Sequence, residues 1–258
     1  MKIKNITGII AFLSLIIMFS SGCRKYPYLE GNGSVTSETR ASVSFNRIDN
    51  QGDFNVYYVH DSVFRVTIEA ESNLIPHIRT VVNGNTLEIN TRENLNNNYA
   101  MKIIVYSPTL KGVMLSGSGL INTGSVEEEI FEVKLSGSGI IYGDIISHTL
   151  NAIISGSGEI DFGVVSEYTN AIISGSGNIK LLGESTTADY LISGSGNIES
   201  YNLLLDECVA KISGSGNIYA NVMDYIHVTI SGSGNFYYVG SPIVDSTITG
   251  SGNVIHGK

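Results

Sequence analysis

Glu159 and Asp161 stand two residues apart, with Asp144 and Glu199 in the flanking stretches of a repeating sequence. Residues two apart on a strand share a face, and clustered carboxylates are the equipment of glycan-cleaving enzymes. No cluster of Arg or Lys accompanies these four; only Lys180 and Lys211 lie nearby in the later repeats. They read as a solvated acidic face, with a carbohydrate-active enzyme as the alternative. His60, His77, His148, His227 and His256 show no metal-ligand spacing. Glycine turns are frequent, but the recurring aspartate of calcium-binding nonapeptides is missing. Serines are abundant without a Gly-x-Ser-x-Gly elbow, and Gly-Ser-Gly-Asn is followed by neither a helix nor the lysine of a phosphate loop. The expectation is therefore no catalytic residue, no metal and no cofactor. Two other sets suit contact rather than catalysis. Asn178, Asn197, Asn217, Asn235 and Asn253 recur at one repeat position and would stack, amide on amide, as a ligand-facing ladder. Tyr219 and Tyr237 share another position and would form an aromatic contact for a sugar or a protein.

The elements that must position these side chains follow from a repeat. Ser-Gly-Ser-Gly, or once Thr-Gly-Ser-Gly, begins at Ser116, Ser136, Ser155, Ser174, Ser193, Ser213, Ser231 and Thr249, at intervals of 18 to 20 residues. A fixed interval means one unit stacked on copies of itself. Leu115, Leu135, Ile154, Ile173, Ile192, Ile212, Ile230 and Ile248 precede the motif. Val113, Val133, Ala152, Ala171, Tyr190, Ala210, Val228 and Ser246 stand two residues earlier. Ile121, Ile141, Ile160, Ile179, Ile198, Ile218, Phe236 and Val254 follow two residues after it. Period-two alternation on both sides of a glycine corner predicts one turn of a β-solenoid. The corner glycines are expected to reach backbone angles closed to other residues and to allow close stacking. The predicted fold is all-β: a single-stranded β-helix of about eight coils of 18–20 residues over residues 113–258, extending roughly 38 Å.

Residues 41–112 alternate as strands without the motif, at Phe54, Val56 and Tyr58 and at Phe64, Val66 and Ile68. Asn83-Gly84 marks a tight turn, and residues 73–78 a short helical turn or loop. This region is expected to cap the first coil, because a solenoid otherwise ends in unpaired edges. Upstream, Lys2 and Lys4 precede an apolar run at residues 6–19, and Ser20-Ser21-Gly22 precede Cys23. That pattern resembles a lipoprotein signal peptide over residues 1–22, although Ser20 stands where leucine is usual. Cys23 would carry the lipid, and residues 23–40 would be a flexible tether. The membrane would then be met only through that lipid. Removal of Lys2 and Lys4 takes the net charge from −9 to −11, which argues against nucleic acid. With Cys23 lipidated, Cys208 has no partner and reads as a small, partly buried thiol.

Phe45-x-x-Ile48, Gly52-x-Phe54-x-Val56, Asn83-Gly84-Asn85-x-Leu87-x-Ile89, Ile103-x-Val105, Pro108-x-Leu110 and serial Gly-Ser-Gly-Asn-Ile together resemble the putative auto-transporter adhesin, head GIN domain family. The resemblance covers about residues 41–255. It implies a right-handed β-helical body on a secreted or lipid-anchored envelope protein, with no catalytic residues to carry over. The first three coils depart from the pattern, with Leu120, Ile140 and Glu159 in place of the asparagine. The expected function is adhesin-like binding of a protein or glycan by an outer-membrane lipoprotein, periplasmic or surface-exposed. A self-associating envelope scaffold is the other alternative.

Overall fold

The computed structural model describes residues 28–257. The signal peptide and Cys23 lie outside the described residues. The N-terminal part comprises β1 (Leu29–Glu30), β2 (Val35–Ala41), β3 (Arg47–Asn50), β4 (Asn55–His60) and β5 (Arg65–Glu71), then a 3-10 turn at Ile75–His77. It continues through β6 (Ile78–Asn83), β7 (Thr86–Thr91), β8 (Leu95–Asn96) and β9 (Lys102–Ser107). The repeats follow as β10 (Gly112–Leu115), β11 (Leu120–Leu135), β12 (Ile140–Ile154), β13 (Glu159–Ile173), β14 (Asn178–Ile192), β15 (Asn197–Ile212) and β16 (Ile218–Ile230). The last coil is split into β17 (Phe236–Val239), β18 (Ile243–Ile248) and β19 (Val254–His256).

Each repeat strand runs from one motif to the next and pairs in parallel with the equivalent residues of the following coil. The pairing offset equals the sequence interval, so like residues form columns. Val133, Ala152, Ala171, Tyr190, Ala210 and Val228 are one such column, and all are buried. The isoleucines before the motif and those after it form two more, fully enclosed until the last coil. The interior is a narrow stack of aliphatic side chains with Phe131, Phe162 and Phe236 filling its width. This is the β-solenoid of about eight turns that the repeat predicts.

The corner works for a reason different from the expected one. Among the described residues, the glycines with left-handed φ include Gly124 (59°), Gly183 (117°) and Gly240 (100°), and none belongs to the motif. The motif glycines are required by proximity. A Cβ on Gly194 would lie 1.9 Å from the carbonyl oxygen of Gly175, and one on Gly196 1.8 Å from that of Gly177. Coil-to-coil hydrogen bonds run straight through the bend, as in Ser195 N–H to Gly175 O at 3.0 Å. A methyl group anywhere in that column would push the rungs apart.

The N-terminal region adds rungs of its own. β3 and β4 lie beneath β10 and β11, in parallel, and β7 and β9 lie beneath β3 and β4. Ile48 and Leu87 thereby extend the column that begins the repeat at Val113. The stacking order is not the chain order: an earlier pair of strands sits between a later pair and the repeats. Asn50 forms the corner here without the motif. Its Nδ2 donates to Phe54 O at 2.8 Å and its Oδ1 accepts from Gly52 N–H at 3.2 Å. Below this, β6 runs antiparallel to β7, β5 antiparallel to β9, and β2 antiparallel to β5.

The expected tether at 23–40 needs correction from residue 29 onward. β1 pairs with β8, and β2 lies along β5 over seven residues. Arg40 fastens β2 by donating to Ile78 O at 2.7 Å and Ile75 O at 3.1 Å. β2 is Thr-, Ser- and Glu-rich with nearly every residue exposed, so it has no apolar alternation to betray it.

Candidate functional site

One outward column follows directly from the register. Tyr142, Asp161, Lys180, Glu199, Tyr219, Tyr237 and Ile255 occupy the same position in consecutive coils, one residue beyond the buried isoleucine column. Rungs about 4.8 Å apart set these side chains side by side. Tyr219 and Tyr237 stack, with centroids 4.9 Å apart and planes at 7°. Tyr201 meets Tyr219 edge-on at 5.4 Å and 73°, and remains 37% exposed. Burial pushes the Tyr201 and Tyr219 hydroxyls above the ordinary 10, aided by the neighbouring rings, so both remain proton donors.

The acidic residues lie beside this stack. Lys180 Nζ donates to Glu159 Oε1 at 2.9 Å. That bond, with the charges of Glu159, Glu199 and Asp161, raises the lysine above its usual value. Asp161, Lys180 and Glu199 follow one another along three rungs, so the cation separates two of the carboxylates. They line a groove of about 500 Å³, together with Asn197, Tyr201 and half-exposed Leu182. A second concavity of about 590 Å³ shares Asp161 and Leu182 with it and continues toward Tyr142 and Asp144. Gly124, Gly143 and Gly163 border this part. Their lack of side chains lets the wall recede.

The asparagine ladder forms as an internal brace. Asn178 Oδ1 accepts the backbone N–H of Asn197 at 3.1 Å and its Nδ2 at 3.4 Å. The same pair of bonds recurs from Asn217 to Asn197, from Asn235 to Asn217 and from Asn253 to Asn235. The carbonyl oxygens of Asn178, Asn197, Asn217 and Asn235 are thus committed to the next coil, and of the five asparagines only Asn197 lines the groove.

Tyr201 was not singled out by the repeat, yet a signal existed. The interval from Ser193 to Ser213 is 20 residues against 19 before it and 18 after. The extra length is absorbed as a register shift between Ser200 and Leu204, where Tyr201 and Asn202 bulge outward. Another concavity, of about 770 Å³, lies against Glu127, Glu128, Glu129 and His148. There, among the described residues, the middle of β11 has no strand beneath it, since β4 and β10 pair only with its two ends. Among the described residues, no group of three or more His, Cys, Asp or Glu side chains is placed to hold a metal ion. The histidines are dispersed, His77 against Glu93, His148 against Glu167 and His227 against Asp245.

An in-register stack with a filled interior and an outward groove along its coils defines a repeat-built β-solenoid. The chain belongs to the family described as "Putative auto-transporter adhesin, head GIN domain", which matches residues 44–242. No curated protein matches it. Among solved structures, a putative lipid binding protein from Parabacteroides distasonis is 24% identical, with a TM-score of 0.85 over 90% of this chain and 100% of that one. A putative adhesin from Parabacteroides merdae is 22% identical, with a TM-score of 0.82 over 90% and 99%. A putative adhesin from Bacteroides fragilis is 24% identical, with a TM-score of 0.68 over 89% and 100%. These chains share the fold.

Proposed function

We propose that this chain is a non-catalytic, adhesin-like binding module of the bacterial envelope, held to the outer membrane by lipid on Cys23. The observation that carries the reading is the groove along one coil face, where a stacked tyrosine cluster adjoins ion-paired and amide groups. Membership of an adhesin-like family supports a surface or envelope location. Among the described residues, no helix is long and apolar enough to cross a membrane, and the filled core leaves binding to the outside. Two experiments test the reading. Metabolic labelling with palmitate should mark the wild type and not Cys23→Ala. Cells carrying the chain should attach to host matrix or neighbouring cells and lose attachment after external protease; full protection from protease removes the surface version. If the acidic face were instead catalytic, glycan turnover would appear and vanish in Asp161→Asn.

One observation favours a second reading, a self-associating scaffold. Among the described residues, β18 pairs only with β16 and β19 only with β17, and Ile243, Ile248 and Ile255 are exposed there, Ile243 at 72%. Unpaired apolar edges template further pairing. Light scattering across concentration decides this: a strict monomer ends the scaffold reading.

A further inference from the structure

We propose that the groove beside Tyr201 and Tyr219 is a carbohydrate site, taking a linear chain of neutral or amino sugars laid parallel to the solenoid axis. This names a ligand class for the binding module above and rests on that reading. Four features of the groove point the same way.

The first is an aromatic surface. Tyr219 is flanked by Tyr237 and Tyr201, and Tyr219 and the partly exposed Tyr201 both line the groove. Pyranose rings have apolar C–H faces that pack on aromatic rings, and a tyrosine adds a hydroxyl for the sugar's polar edge. The second is a mixture of donors and acceptors. Asp161 and Glu199 accept, Lys180 donates, and the Asn202 amide does both. A polyol needs both kinds within one groove. A phosphate would call for donors alone, and a lipid tail for neither.

The third feature is charge. Asp144, Glu159, Asp161 and Glu199 outnumber the single Lys180 along the groove. Uronates, sulfated and phosphorylated sugars would be repelled, whereas neutral sugars are tolerated and protonated amino sugars attracted. The fourth is length. The two concavities meet at Asp161 and Leu182 and run across the coils from β11 to β16. Five rung spacings make about 24 Å, room for several sugar rings in a row, each about as long as one rung step.

The test uses the full chain in detergent. Because its emission is shared among 14 tyrosines, binding is followed by titration calorimetry rather than by fluorescence. Tetra- to hexasaccharides of glucose, mannose, N-acetylglucosamine and glucosamine are titrated against galacturonate oligomers and a lysine-rich peptide. Saturable binding of at least one neutral or amino-sugar series is expected, weakened about tenfold or more in Tyr201→Ala and in Asp161→Asn. Circular dichroism and thermal midpoints check that both variants fold; each change is at a solvent-accessible position. The proposal is overturned if no neutral or amino-sugar oligomer saturates, if Tyr201→Ala binds them as well as wild type, or if galacturonate or the peptide binds more tightly. Loss of the sugar result while cells bearing the chain still adhere would sink this inference alone; loss of both would sink the binding module with it.

Discussion

Glu71 is a carboxylate enclosed by the N-terminal cap, and it does the work of several backbone bonds there. It accepts from Gly33 N–H at 2.5 Å, Asn98 N–H at 2.8 Å and Asn98 Nδ2 at 2.9 Å. The Asn98 side-chain bond, with backbone N–H groups of Asn98, Gly33 and Tyr99, holds its carboxyl below the ordinary 4.5 against the opposing effect of burial. A folded value below the unfolded one contributes stability above pH 4.5 that drains away as pH falls through the folded value. Thermal midpoints measured from pH 7 to pH 3 should therefore fall more steeply for wild type than for Glu71→Gln, which starts lower because its amide turns a donor toward donors. The motif corner gives a contrasting pair. Gly196→Ala places a methyl against the Gly177 carbonyl and the Ile173 side chain and should cost about 3 kcal/mol. Ser195→Ala, one residue away and facing water, should stay within about 0.5 kcal/mol. Urea midpoints separate the two.

The repeat strand with its brace is the unit at the next scale. Asn217 accepts from the backbone and side chain of Asn235 and donates to Asn197. Asn217→Ala leaves the Asn235 donors short of a partner on a half-buried ladder and should lower stability by about 2 kcal/mol in chemical denaturation. Much at this scale was legible beforehand. Alternation around each motif identified the three buried columns, and the position shared by Tyr219 and Tyr237 gave their stack. What escaped has physical causes. The rung formed by β3 and β4 lacks the motif because Asn50 makes its corner through side-chain bonds. The rung formed by β7 and β9 is displaced in the chain, so no interval could place it. β2 is polar on both faces and recognisable only by what it pairs with. Tyr201 sits in a bulge, outside the period that made its neighbours visible.

Among the described residues, the repeat part of the molecule is a stack in which each rung pairs with the rungs above and below it. Cys208 is enclosed in the column of Ala188 and Ile226, and burial raises its thiol well above the ordinary value. It should resist a soluble disulfide reagent in the native state and react in step with unfolding, so thiol labelling reports the opening of the stack. The same one-dimensional design governs behaviour under load. The described chain enters at the capped end, whereas Tyr201, Tyr219 and Tyr237 lie near the opposite one. A load applied between the two ends would pull along the direction in which the inter-rung bonds point. Those bonds would part a rung at a time, like a zip, rather than all together in shear. Stretching single molecules between the two ends should give a train of small force peaks, each freeing the 18–20 residues of one interval, roughly 60 Å of slack. A stack loaded this way would yield by paying out line, which would spare anything held at the far end.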